Sequence, residues 1–176
     1  PSPQEVDAYV ASTDADKRER LIDRLLASEA FVESWAMRLG RLLRLRSQYD
    51  KNKITITPTT VRTYHGWITE QLRKGVGYDQ IARALLTATG DSEAIGPAGF
   101  YNTAEDALLQ TEFMTEVFLG SRMRCANCHN HPLDKWTQDD FHGLAAIFAK
   151  VTRGTTVRVS PLGKTVHPQT GQPAQM

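Results

Sequence analysis

Cys125-Ala126-Asn127-Cys128-His129 holds both cysteines of the chain and one of its five histidines. Two thiols separated by two residues can reach the two vinyl groups of one haem and form thioether bonds. A histidine directly after the second thiol then supplies an axial imidazole to the iron. The spacing is short because the vinyl groups and the iron axis belong to one rigid macrocycle. Both cysteines are spent on this pattern, so no disulfide framework is available. Three other readings fit the same residues. A redox dithiol wants a strand before the first cysteine and a helix starting at it, whereas the residues before Cys125 read as a helix ended by Gly120. A zinc site could combine Cys125 and Cys128 with His131 and His142, at a possible spacing but without a second knuckle. Inert buried cysteines are the third.

The residue on the other face of the iron decides what such a haem does. A thioether raises the potential, a second imidazole lowers it, and an empty position admits small ligands. Met114 ranks first, on the apolar face of the preceding helix, where core filling is its ordinary role. His65 follows, beside Tyr64 and Trp67 on a helix that must pack in the core. His142 is third, on the polar flank of the last helix, where solvation is the simpler reading. His131 is too close to His129 to reach the far face and suits a propionate or backbone contact. Met123 is too tightly tethered, and Met37 reads as core. Arg122 and Arg124 suit propionates or an acidic partner. Trp136 and Tyr101 could wall the pocket. No phosphate loop, serine elbow or carboxylate pair stands out, so no catalytic residue is assigned.

The elements that must carry these residues read as helices over most of the chain. Pro3 opens a short helix. Thr13 or Asp14 caps a run with Leu21, Ile22, Leu25 and Leu26 on one face. Ser28 or Glu29 precedes Phe31, Val32, Trp35, Leu39, Leu42 and Leu43, a helix decorated by Arg38, Arg41, Arg44 and Arg46. Lys51–Pro58 is a polar connector with alternating Ile54 and Ile56. Thr59 caps a helix with Val61, Tyr64, Ile68 and Leu72, which Gly75 and Gly77 end. Residues 78–87 form another, 90–102 a glycine-rich loop, and 104–119 a helix with Met114 inside. Thr137 caps the last, with Phe141, Leu144, Ala145 and Phe148 inward. Beyond Val151, the alternating Thr155–Val159 predicts a hairpin with Lys164–Val166, and Pro168–Met176 is linker-like. The expectation is a mostly α fold with a small C-terminal β-hairpin or extended tail. Residues 1–152 form a helical haem-binding domain (early helices 1–90, attachment region 100–150), and 153–176 lead toward a downstream domain.

Composition sets bounds. With 21 basic and 20 acidic side chains among 176 residues, global charge does not favour nucleic acid. No apolar run approaches the roughly 20 residues of a membrane span. No signal segment is visible and the chain starts without Met, which reads as a mature or excised piece of something longer.

Longer stretches carry a resemblance. Phe118-Leu119-Gly120, Cys125 to Pro132, Trp136 to Phe141 and Gly143 to Phe148 resemble the planctomycete cytochrome-like domain of unknown function. Tyr64 to Ile68, Leu85 to Gly90, Gly99 to Asn102 and His167-Pro168 are similar to it too. Leu133 and His142 depart from its pattern, which more often has an aromatic residue and a tyrosine there. That domain occurs in large exported planctomycete proteins, so the resemblance implies extent and setting, not a reaction. Covalent haem attachment also takes place outside the cytoplasm. The expected function is therefore a monohaem c-type cytochrome domain, periplasmic or otherwise exported. One covalent haem c would transfer electrons to a redox partner or to neighbouring domains of the same polypeptide. A haem enzyme or a gas or peroxide sensor with an open sixth site is the alternative, and a zinc-stabilised interaction module a second.

Overall fold

The computed structural model describes residues 1–45, 48–50 and 53–174, with only the backbone considered at 48–50 and 53–55. Arg46, the first residues of the Lys51–Pro58 connector and the end of the tail lie outside them. The chain is mostly helical: α1 (Pro3–Ala11), α2 (Lys17–Leu26), α3 (Glu29–Leu42), α4 (Pro58–Arg73), α5 (Tyr78–Leu86), α6 (Ala107–Phe118) and α7 (Gln138–Ala149). The strands are short: β1 (Gln48–Asp50), β2 (Lys53–Ile56), β3 (Gly90–Asp91), β4 (Val151–Thr152) and β5 (Thr156–Val159). No helix among the described residues is long and apolar enough to cross a membrane.

Side chains fix where helices begin. Ser28 Oγ accepts from the Phe31 N–H at 3.2 Å, and Asp106 Oδ1 from the Leu109 N–H at 2.8 Å. Thr137 and Asp140 satisfy each other's backbone N–H groups as a capping box at α7. α6 begins at Ala107, capped by Asp106, and not at 104, and two further starts differ from expectation. Asp16, not Thr13 or Asp14, precedes α2, and Thr57, not Thr59, caps α4, because Pro58 has no N–H and takes the first helical position.

The core gathers Tyr64 and Ile68 of α4, Ile81 and Leu85 of α5, Phe100, and Phe113 and Met114 of α6. On α3 the buried stripe is Ala36, Gly40 and Leu43, rotated from the one that bulk predicts. Gly40 is covered by Leu45, whose side chain stands 3.5 Å from where a Cβ at that glycine would lie, while Trp35 and Leu42 stay half-exposed and Met37, expected in the core, is 58% exposed. Ile22, Leu25 and Leu26 of α2 are likewise about half-exposed. The expected 90–102 loop contains a 3₁₀ helix, Gly96–Thr103. It lies so close to α4 that any side chain at Gly96 would collide with Trp67.

After α7, the expected strand at Thr155–Val159 forms but with other partners. β5 pairs antiparallel with β4 on one side and β3 on the other. The β4–β5 connection through Gly154, at a positive φ of 128°, is shorter than the one the expected hairpin with Lys164–Val166 needs. Val166 instead bridges Pro173. Val157 is fully buried against the helices, so β5 ties the chain after residue 152 to the core.

Candidate functional site

α6 ends at Phe118, and Gly120, at φ 63°, turns the chain so that the Ser121 N–H donates to Thr115 O at 3.1 Å. A 3₁₀ turn, Met123–Asn127, follows. Met123 and Ala126 are buried against Phe141 in a small second core, flanked by Leu108, Trp136 and Leu144. Anchoring those two positions leaves Cys125, Cys128 and His129 exposed. Both cysteines are free thiols. Cys125 O accepts from the Cys128 N–H at 3.3 Å and the His129 N–H at 3.4 Å, so the three side chains share one turn.

The turn is held from the α7 side. His131 N–H donates to Trp136 O at 2.8 Å, and Gln138 N–H to Asn130 Oδ1 at 3.0 Å. Asn127 O accepts from Gln138 Nε2 at 3.1 Å and His142 Nε2 at 3.0 Å. His129 Nδ1 lies 2.8 Å from Asn130 O. A carbonyl only accepts, so Nδ1 carries the proton and Nε2 keeps its lone pair for a ligand.

A cleft of about 600 Å³ opens between α6 and this turn. Cys125, His131, Pro132 and Leu133 line one side, and Glu112, Glu116 and Arg44 the other, with Arg122 and Arg124 between. Burial pushes the Glu112 carboxyl above the usual carboxylate range, against the pull of Arg124, whose Nε is 3.8 Å away. Arg122 pairs with Glu116 at 3.1 Å. Arg44 sits at φ 54° just past α3, its guanidinium 4.3 Å from the Phe113 ring centroid. Its sequence reading was helix decoration; the signal for its true place was only its position after the last apolar residue of α3.

Cys125, His131, Arg122 and Arg124 thus converge, with Cys128 and His129 on the same turn. The remaining candidates do not line the cleft. Glu112 and Glu116 of α6 face it, whereas Met114 lies about 200° round the helix from Glu112 and is 6% exposed in the main core. His65 is exposed on α4. His142, expected to be solvated, is 2% exposed, because α7 turns it under the motif to meet Asn127. Tyr101 is buried in the main core and donates its hydroxyl to Leu86 O at 2.6 Å. Trp136 is half-buried beneath the turn. Among the described residues no group of three or more His, Cys, Asp or Glu side chains could hold a metal ion. The Cys125, Cys128, His131 and His142 set of the zinc reading is therefore not assembled.

Two free, exposed thiols and an imidazole, all facing outward from one short turn, form a donor set that fits a covalently attached haem. A family model, PSCyt2, protein of unknown function (DUF1549), matches residues 1–153. No curated protein and no solved structure matches the chain.

Proposed function

The chain belongs to the DUF1549 family, a planctomycete-type domain of unknown function, and from that premise we propose that it is a monohaem c-type cytochrome domain. In this reading Cys125 and Cys128 carry one haem c through thioether bonds, and His129 ligates the iron through Nε2. The domain transfers electrons to a redox partner or to neighbouring domains of a longer exported polypeptide. The observation that carries the reading is the presentation of all three groups on one anchored turn, with His129 Nδ1 engaged by Asn130 O.

When bound, the haem supplies one-electron redox chemistry. The chain does the rest. Met123 and Ala126 hold the turn down, and Asn130 orients the His129 ring. Arg44, Arg122 and Arg124 offer guanidinium groups to carboxylates at the cleft. Leu133, 93% exposed beside Pro132, leaves apolar surface at the rim for a docking partner.

A second reading, a haem with an open sixth position that binds a gas or peroxide, is favoured by one observation. None of Met114, His65 and His142 lines the cleft. Production in a host with the c-type maturation machinery separates the cases. Intact mass with one added haem and a pyridine haemochrome supports attachment; a bare polypeptide ends both haem readings. A ferrous spectrum indifferent to carbon monoxide supports electron transfer, and one that responds to it supports the open site.

A further inference from the structure

Asn127 lies between the two cysteines, and its carbonyl is where α7 grips the turn. Gln138 and His142, the two donors to it, stand one helical turn apart on the same face, and both are buried. Since the carbonyl only accepts, His142 carries its proton on Nε2. Its Nδ1 is then a buried acceptor without a partner among the described residues, which costs stability.

The ring is held from behind. The His167 ring packs edge-on against it, centroids 5.1 Å apart. His167 is 6% exposed and stands in a turn closed by its own backbone. The Gly171 N–H donates to His167 O and the His167 N–H to Gln172 O, each at 2.9 Å. Gln169 N–H donates to His167 Nδ1 at 3.3 Å, and Asp139 Oδ1 of α7 lies 3.0 Å from Nε2. Upstream, Gly163 lies so close to Ala149 O that no side chain fits there. The tail is thus seated along α7, from Asp139 and His142 near its start to Ala149 at its end, and it lies beyond the part of the chain that the family model matches.

We propose that His142 and His167 are positioning residues: the His167–Gln172 turn braces the His142 ring, and His142 with Gln138 holds the Asn127 carbonyl and so the Cys125–His129 turn. What the turn is for rests on the haem reading above; the bracing does not. A segment or partner that lifts the tail acts on the turn through two rings packed edge-on.

Amide hydrogen exchange on the full chain without haem tests this, read at Cys128 and His129, whose N–H groups both meet Cys125 O, with α4 as internal reference. His142→Phe keeps a ring but loses the donor, and exchange at those amides rises about five-fold, the factor for one hydrogen bond of ~1 kcal/mol. His142→Gln restores protection, since Gln138 already presents the same amide N–H to the same carbonyl. His167→Ala, at a residue with no hydrogen bond to the turn or to α4 among the described residues, raises exchange at the same amides while α4 is unchanged. Unaltered exchange in His167→Ala, or no rescue by glutamine, overturns the bracing even if His142→Phe fails to fold. Intact mass after maturation separates the two ideas. Haem attached with exchange unmoved refutes the bracing alone, and no haem with exchange moved refutes the haem alone.

Discussion

Trp136 donates its indole N–H to Ser121 Oγ at 2.6 Å, and this one contact closes the segment that carries both cysteines and His129. Ser121 is fixed in turn by its N–H to Thr115 O at the end of α6. Trp136 packs on the small core of Met123, Ala126 and Phe141. The loop's two ends are therefore held together by a side chain that also forms its floor.

Trp136→Phe is expected to keep part of the floor and lose the closure. Stability falls by about 1–3 kcal/mol, from one hydrogen bond and some lost packing. Urea unfolding measures the loss. Alkylation of Cys125 and Cys128 in the unloaded chain is expected to quicken, and unchanged stability and rates would show that the contact carries nothing.

The capping box of α7 makes its start pH-sensitive. Asp140 accepts from the Thr137 N–H and hydroxyl, both at 2.8 Å, and these bonds hold its carboxyl below the usual carboxylate range. A carboxyl lowered on folding stabilises the fold above its unfolded value, and that contribution is lost as pH falls through the folded one. Asp140→Ala costs about 0.5–2 kcal/mol at neutral pH and weakens the dependence of stability on pH below about 4. Urea midpoints across that range check both.

Glu112 behaves with the opposite sign. Burial raises its carboxyl, so the folded chain binds that proton more tightly than the unfolded chain. Its contribution to stability grows as pH falls through the raised value and is unfavourable above it. Glu112→Gln is expected to stabilise the unloaded protein at neutral pH by less than about 1 kcal/mol, since its partner Arg124 is largely exposed. A loss of stability at neutral pH would mean that the Arg124 contact outweighs the burial.

The sequence pattern made some of this visible and hid the rest for physical reasons. Helical spacing identified the buried faces of α4 and α7 through Tyr64, Ile68, Phe141, Ala145 and Phe148. It misplaced the face of α3, because Ala36 and Gly40 carry little hydropathy and yet are buried. The helix at Gly96–Thr103 read as a loop because glycine and proline are turn residues. At the site, Cys125, Cys128 and His129 stood out by spacing alone. His142 read only as a solvated candidate ligand and Arg44 only as helix decoration, since burial of one and cleft placement of the other depend on α7 and α3 arriving from distant parts of the chain.

Met114 offers the sharpest test of how the iron's other face is filled. It lies on α6 opposite Glu112 and packs in the main core with Phe100 and Phe113. Met114→Ala is therefore expected to cost about 2–5 kcal/mol through the cavity it leaves. Met114→Leu, close in volume, costs less than about 1.5 kcal/mol. If Met114 serves only as core, the visible spectrum of the haem-loaded Met114→Leu protein matches that of the parent chain. Loss of a thioether ligand would change the ferric spectrum even where stability is preserved. A spectral change in the leucine variant at unchanged stability would thus put Met114 on the iron and show that α6 must turn or shift when haem is attached.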